Sequence, residues 1–498
     1  MHLLSLQKNK AFIFGDEKMA VISVIKLSEL EGTKRIDAEY YKPEYISNKK
    51  YILNYTEHKN IKQIGCKVVS GPFGSSLKSE AYLKEGIPFI RIKNLSYFFI
   101  DDEELVYISR EDNERLKSSQ LKLGDLVLSK VGNTIGVVSI ITQEIGNCNI
   151  SENNIGIKFL SETPLALKLF ILTFLNSRLG RMQILRSISG NAQPKLNIKD
   201  IYNLVLFIPN KKLLGKIGNT ILEAKNLIYK SKSLYLQAEN LLLDELGLKD
   251  FNPKYELSYT AKLSDTFGVH RVDAEYFQPA YEHIEEYLVK EFGARPIGKI
   301  SFIAVTTGQY CEEYVEKAEG MPYIRGTDLK NGTVSTDDLV YINPENQIES
   351  KKTKEGDIVV TRVGTIGLSA RIPKECEGGT ISDNLIRLRF DQEKLNSYFL
   401  ALFLGSPIGV NLMIRNSRGS VQQRLNQETL KEVVIPLLSF KTQQKLASLV
   451  QQSYKARKKS KELLEIAKQA VEIAIEENEG RGMSYIEKEL EKLKLGNS

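Results

Sequence analysis

The chain has 498 residues, 42% hydrophobic and 26% charged, with a formal net charge of +7. That length exceeds one hydrophobic core and predicts about two to four domains. No apolar run reaches the roughly 18 residues a membrane helix needs, so no membrane span is expected; the mild basic excess permits a polyanionic partner without demanding one.

Residues 1–18 lack the charged, apolar and small segments of a secretion signal. They have no counterpart elsewhere in the chain and read as an upstream start or a disordered extension. Cys66, Cys148, Cys311 and Cys376 lie far apart, with no CxxC pair. Neither a disulfide frame nor a zinc site is expected, and a reducing cytoplasm fits.

From about Met19 the chain is written twice. Arg35–Tyr45 (RIDAEYYKPEY) matches Arg271–Tyr281 (RVDAEYFQPAY) at seven of eleven positions. Gly86–Leu95 answers to Gly320–Leu329, Lys122–Gly136 to Lys354–Gly367, Ile150–Phe159 to Ile381–Phe390, and Gly190–Asn197 to Gly419–Asn426. The order holds while the offset drifts from 236 (35 to 271) to 229 (190 to 419), which means a duplicated domain and not a short-period solenoid.

Each copy opens on Asp-Ala-Glu-Tyr with a proline soon after, predicting a helix cap and turn. GPFGSSLKSEAY then carries turn chemistry, and IPFIRI and ELVYI carry strand propensity. Lys122–Ile141 predicts a hairpin, with a turn at Gly124-Asp125 and a short exposed connection between Gly132 and Gly136. Pro164–Gly180 is helical in pattern, and KDIYNLVLFIP predicts a capped helical turn followed by a short apolar strand. Between the matched blocks, Cys66–Ser79 has little in common with Ala304–Val315. Two exposed loops serving different targets, or drift after duplication, would each give that divergence.

Asn210–Leu248 reads as one long amphipathic helix. Its seam runs through Leu214, Ile217, Ile221, Ala224 and Ile228, then weakens through Ser231, Tyr235, Ala238 and Leu242. Phe440–Asn478 is its counterpart, with Leu446, Leu449, Ala456, Leu463, Ala467, Ala470 and Ala474 near one face. Small residues there permit close approach of a partner helix. The resulting expectation is an α+β chain: two similar mixed α/β domains separated by two long helices that pair as an antiparallel coiled coil. The boundaries are 1–18 for the extension, 19–209 and 251–438 for the domains, 210–250 and 439–480 for the helices, and 481–498 for a C-terminal tail.

Catalytic chemistry is poorly represented. His2, His58, His270 and His283 have no metal-ligand spacing, and no GxSxG, Walker or GxGxxG motif is present. Asn252-Pro253-Lys254-Tyr255 faintly resembles the Asn-Pro-Pro-Tyr/Phe motif of amino-methyltransferases, but its third residue is Lys, and it reads as a turn ending a helix.

Nucleic-acid contact is better supported. Arg91, Lys93 and Arg325 follow strand-like runs, while Lys130 and Arg362 precede the glycine connections at equivalent positions. Asn153, Asn154 and Asn384 cluster with Ser151, Ser382 and Asp383, and Gln193-Pro194-Lys195 answers to Gln422-Gln423-Arg424. Lys78, Asn94, Asn133, Thr327 and Thr365 complete the candidate set. Basic side chains neutralise phosphates, Arg can grip guanine, and Asn or Gln can bind adenine. Each residue taken singly is also an ordinary surface or framework residue; recurrence in both copies is what raises the set.

The ordered series of Asp-Ala-Glu-Tyr-Tyr, Gly-Ile-Pro-Phe-Ile-Arg, Gly-Asp-Leu-Val-Leu-Ser with Gly-Asn-Thr-Ile-Gly, Ser-Glu-Asn-Asn, Gln-Pro-Lys-Leu and the long helix, all twice, resembles the specificity subunit of a type I restriction–modification system. The resemblance covers Met19 to about Asn478. It implies two target recognition domains reading a bipartite sequence in double-stranded DNA. It also implies docking of two methylation subunits, and of restriction subunits through them. No catalysis and no cofactor would belong to this chain; S-adenosylmethionine, ATP and Mg would sit on the partner subunits, in the cytoplasm. Two departures are the extra 18 residues at the start, and Pro-Leu-Leu-Ser-Phe where the first copy has Phe-Ile-Pro-Asn-Lys. The competing expectation is a protein-assembly scaffold whose domains bind peptides or proteins; a self-sufficient enzyme is a third.

Overall fold

The computed structural model describes residues 3–6, 23–26, 37–54, 57–72, 76–132, 134–189, 194–249, 255–300, 303–336, 339–419 and 423–495. The chain divides into two compact units, Met1–Leu227 with Lys458–Ser498, and Ile228–Arg457. The central helix, Lys211–Glu245, and its counterpart, Phe440–Glu476, therefore each give one half to each unit.

In the first unit, a five-stranded sheet runs in the order Lys67–Ser70, Asn154–Lys158, Leu126–Ser129, Val138–Ile140, Phe98–Phe99. A three-stranded sheet holds Asn149–Ile150, Ile87–Ile90 and Val106–Ile108. The apolar run LVLS is buried along its whole length, the pattern of a strand covered on both faces. It pairs with the next strand as the hairpin predicts, Leu126 opposite Ile140 and Leu128 opposite Val138. The helix Leu165–Asn176 buries nearly its whole circumference.

The second unit repeats this plan. Its six-stranded sheet runs Ile303–Thr307, Leu385–Phe390, Ile358–Thr361, Ser369–Arg371, Gly332–Val334, Leu329–Lys330, and its smaller sheet runs Val340–Ile342, Met321–Ile324, Thr380–Ile381. The apolar helix Ser397–Gly405 lies in its core.

The Asp-Ala-Glu-Tyr openings do cap turns: the side chain of Asp37 accepts from Tyr40 N, and that of Asp273 from Tyr276 N, each at 3.2 Å. The sequence pattern does not disclose what grips those tyrosines. Arg186 stacks 4.1 Å from the Tyr40 ring centroid and donates from Nε to the Tyr40 carbonyl at 2.9 Å. Arg415 repeats this on Tyr276, at 4.8 Å and 3.2 Å. Each arginine is buried and ties the start of its domain to a late helix.

Both units contain antiparallel helix pairing. In the first, Ser460 Oγ donates to the Ala224 carbonyl at 2.7 Å. In the second, Ser453 Oγ donates to the Ser231 carbonyl at 2.8 Å. The small residues of the seam permit this backbone approach, and the buried hydroxyls find carbonyl acceptors. One register detail differs from expectation: Leu213 is the buried residue, at 1% exposure, and Leu214 is only half-buried. The stretch expected as a tail forms the helix Glu479–Leu495, which buries Ile486 and seats Gly482 against Ala470 and Ala474. Of the N-terminal extension, Leu3–Leu6 pairs antiparallel with Ser23–Lys26.

Among the described residues, no single helix is long and apolar enough to cross a membrane.

Candidate nucleic-acid interface

Part of the candidate set meets where two parallel strands end. In the first unit, Ile90 lies beside Ile150 at the ends of their strands, and Ser151 N donates to the Ile90 carbonyl at 2.9 Å. The chain then turns through Ser151–Asn154. Lys130, leaving the end of Leu126–Ser129, donates from its N to the Asn153 carbonyl at 2.8 Å, and its own carbonyl accepts from Leu196 N at 3.0 Å. Arg91, Lys130, Asn153 and the segment holding Lys195 thus share one corner. The second unit builds the same corner: Ser382 N to Ile324 O at 2.8 Å, Arg362 N to Asn384 O at 3.0 Å, and Leu425 N to Arg362 O at 2.9 Å.

The cations at these corners are held. Lys130 Nζ donates to Ser70 Oγ at 3.3 Å and to the Glu152 carbonyl at 3.4 Å. Its counterpart, Arg362, donates from Nη1 to the Asp383 carbonyl at 3.2 Å. The carbonyl acceptors, Glu152 and Asp383, are themselves equivalent. Arg91 donates from Nη2 to the Glu104 carbonyl at 2.6 Å and stacks 5.6 Å from the Tyr82 ring centroid. Lys93 pairs with the Glu104 carboxylate, which its hydrogen bond holds below the ordinary glutamate range. Arg325 instead chelates Asp328, with Nε to Oδ2 at 3.2 Å and Nη2 to Oδ1 at 3.0 Å.

Lys78, Lys195, Thr327, Thr365, Asn384 and Arg424 are exposed; Asn153, Asp383 and Gln423 are half-buried. Asn133, Gln193 and Gln422 lie outside the described residues. Two candidates need correcting. Asn94 and Asn154 have no exposed surface. Asn94 closes the turn after Arg91, accepting from Arg91 N at 3.1 Å and donating to the Asp101 and Glu103 carbonyls at 3.3 Å each. Asn154 donates to the Ile90 carbonyl at 2.8 Å. Both amides satisfy buried backbone groups, so they shape the corner without reaching its surface.

The loops that look divergent share a hinge. Gly71 N donates to the Asn154 carbonyl at 3.1 Å, and Gly308 N to the equivalent Leu385 carbonyl at 3.2 Å. A Cβ on Gly71 would fall 1.9 Å from the Ser151 carbonyl oxygen, and one on Gly308 would fall 2.0 Å from that of Ser382. The signal was present as Val-Ser-Gly-Pro-Phe against Thr-Thr-Gly-Gln-Tyr, too short to align unaided. Past Gly308 the chain presents Tyr310, 68% exposed, whose hydroxyl donates to Glu312 at 2.5 Å. A cavity of about 730 Å³ opens here, lined by Tyr310, Cys311, Glu312, Asn346 and Lys351 among others. Tyr323 lies beneath; burial pushes its phenol up to about 12 while its hydroxyl donates to the Gln309 carbonyl at 2.9 Å.

Among the described residues, no group of His, Cys, Asp and Glu could hold a metal ion. What each corner offers is hydrogen-bond donors and positive charge around a rigid turn.

Residues 303–468 match the type I restriction modification DNA specificity domain. A 138-residue segment is 28% identical to the type I restriction enzyme EcoBI specificity subunit of Escherichia coli, covering 27% of this chain and 29% of that protein. Among solved structures, the S subunit of a type I restriction–modification system from M. genitalium aligns over 84% of this chain and 95% of its own, at 14% identity and a TM-score of 0.38. The HsdS subunit of Thermoanaerobacter tengcongensis aligns over 83% of this chain and 97% of its own, at 12% identity and a TM-score of 0.25.

Proposed function

We infer the function of this chain from the premise that it belongs to the family of type I restriction–modification specificity subunits. It is the DNA sequence-recognition subunit of such a system, and it catalyses no reaction itself. Each domain reads one half of a bipartite site in double-stranded DNA. The paired helices set the gap between the halves and dock adenine methyltransferase subunits, two per chain. Restriction subunits join through the methylase complex. S-adenosylmethionine, ATP and Mg belong to those partners, and the assembly works in the cytoplasm.

The observation that carries this reading is the specificity domain at residues 303–468, standing on a corner that the first unit builds again with Lys130, Asn153 and Lys195. Exposed and half-exposed cations around a fixed turn suit phosphate contact, and neighbouring amides suit base edges. The test is methylome sequencing of a host expressing the chain with its methyltransferase partner. The expected result is one two-part motif with a fixed unspecified gap. Exchanging residues 60–205 for those of a relative should change one half-site only. A continuous motif, or a change in both halves, overturns the modular reading. Binding of S-adenosylmethionine to the isolated chain would overturn the non-catalytic one.

A further inference from the structure

We propose that Tyr310 and Glu312 form a cytosine-reading pair in the second domain, with Glu312 accepting from the base amine and Tyr310 acting as its positioning residue. The inference rests on the reading of this domain as a DNA-recognition module.

Three observations carry it. The first is placement. The strand Ile303–Thr307 leads into Gly308, and the chain continues beside the corner turn. Gln309 bridges to Ser382, and its N donates to the Ile381 carbonyl at 3.0 Å. Gln309 is buried and tied on every side. Its Nε2 donates to the Asn346 carbonyl at 2.8 Å, and its Oε1 accepts from Ile348 N at 3.2 Å. Its carbonyl accepts from the Tyr323 hydroxyl at 2.9 Å, while Lys351 Nζ donates to the Gly308 carbonyl. The loop is therefore fixed at its root, and Tyr310 and Glu312, both exposed, stand just beyond it.

The second is the chemistry of the pair. The Tyr310 hydroxyl holds Oε1 of Glu312 at 2.5 Å, and among the described residues no cation pairs with that carboxylate. Phosphates repel an unpaired carboxylate, so Glu312 weakens general attraction to DNA. It contributes where a donor meets its second oxygen. In the major groove guanine shows only acceptors, and adenine sets the N7 acceptor beside its amine. Cytosine offers the N4 amine without a neighbouring acceptor, so a carboxylate selects it. The cavity of about 730 Å³ that Tyr310 and Glu312 line with Asn346 and Ile348 leaves room for a base edge.

The third is an internal comparison. Counted from the hinge glycines Gly71 and Gly308, the pair corresponds to Phe73 and Ser75. The first copy has neither a phenol nor a carboxylate at these positions, although it keeps the hinge hydrogen bond of Gly71 N to the Asn154 carbonyl. The shared root therefore does not need the pair. Chemistry that differs on a common root is what two domains reading different half-sites require.

The experiment is selection of bound duplexes from a random-sequence DNA pool with the full chain and its methyltransferase partner, in wild-type form and as Glu312→Gln and Tyr310→Phe. Circular dichroism checks that each variant is folded. Wild type should enrich a bipartite motif with a fixed cytosine in one half. Glu312→Gln keeps an oxygen for the Tyr310 hydroxyl and gains a donor. It should lower discrimination for that cytosine by about tenfold and admit adenine, whose N6 and N7 an amide can bind. Affinity for mixed-sequence DNA should hold or rise. Tyr310→Phe frees the carboxylate and should relax the same position to a smaller extent; an unchanged motif in this variant alone removes the positioning role. If wild type enriches a motif without a fixed cytosine, or if both variants enrich the wild-type motif unchanged, the proposal falls while the recognition reading stands. If wild type enriches no motif, the recognition reading itself fails, and the proposal with it.

Discussion

Ser453 Oγ lies 3.0 Å from Ser231 Oγ and donates to the Ser231 carbonyl at 2.8 Å, with both residues buried. A hydroxyl that close to the facing backbone leaves no room for a larger side chain. Ser453→Leu should destabilise the protein by about 1–3 kcal/mol or more through overpacking. Ser453→Ala should cost about 1 kcal/mol for the lost hydrogen bond. Urea titration followed by circular dichroism measures both, and a Leu variant as stable as wild type would contradict the close approach.

Gly71 and Gly308 admit a similar test. An alanine Cβ at either position would meet a carbonyl oxygen at about 2 Å, and backbone cannot yield as a side-chain tip can. Gly308→Ala should destabilise by about 2 kcal/mol or more and displace the segment after Ile303–Thr307 that carries Tyr310. Gly378, whose added Cβ would meet nothing within 4 Å, has a positive φ of 79° and is the control for backbone strain alone. Gly308 has no positive φ, so its cost comes from the collision alone, and alanine there should cost more than alanine at Gly378; a loss no larger than that at Gly378 would contradict the close approach at Gly308.

How much of this was legible in the sequence depends on distance along the chain. The strand Leu126–Ser129, its hairpin partner and the long helices follow from local periodicity and turn residues, because those elements answer to their own patterns. The corner is legible only through the duplication, which brings Lys130 and Arg362 into correspondence. Burial of individual polar residues is not legible. Asn94 and Asn154 look like surface amides in one dimension, yet each satisfies carbonyls brought near by folding. The Arg186 and Arg415 clasps escape for the same reason: the partners lie 146 and 139 residues away.

Thiol chemistry gives a pH-dependent prediction. Burial pushes the Cys66 thiol up to about 11 and the Cys376 thiol up to about 12. Raised folded-state values mean that the unfolded chain releases these protons first as pH rises. The associated stability is intact below about pH 8.5, where an unfolded cysteine titrates, and is lost as pH climbs toward 11. Native protein at pH 8 should alkylate first at Cys311, which is half-buried, while Cys66, Cys148 and Cys376, all buried, should react only on unfolding. Mass spectrometry of timed labelling checks the order. Cys66→Ser should lessen the loss of stability between pH 9 and 11; an unchanged alkaline melting curve would refute the linkage.

The two corner cations should act alike on DNA affinity. Neutralising one phosphate contributes about −0.9 to the slope of log K against log salt. Lys130→Ala and Arg362→Ala should each weaken binding to all duplexes and reduce that slope by about one. Neither should change the motif that selection returns. A motif change at Lys130→Ala would move that residue from backbone contact to base reading, and an unchanged slope would remove it from the interface.

The helix pair supplies the last prediction. The seam reaches from Ile217 and Ala224 to Ala238 and Leu242, all without exposed surface, and the facing helix contributes Leu446, Ala467, Ala470 and Ala474. Because each helix gives half its length to each compact unit, a change of length belongs at the junctions, after Leu227 and before Lys458. Seven residues added at both junctions preserve the heptad phase and add about 10 Å of helix, roughly three base pairs of duplex. The spacer reading expects both half-sites to persist while the tolerated gap grows by about three base pairs. Adding seven residues to one helix alone breaks the pairing of Ser231 with Ser453 or of Ala224 with Ser460, and should cost stability instead. Methylome sequencing of cells carrying the double insertion reads the outcome directly: an altered half-site with the original gap would show that the helices orient the domains without measuring the distance between their targets.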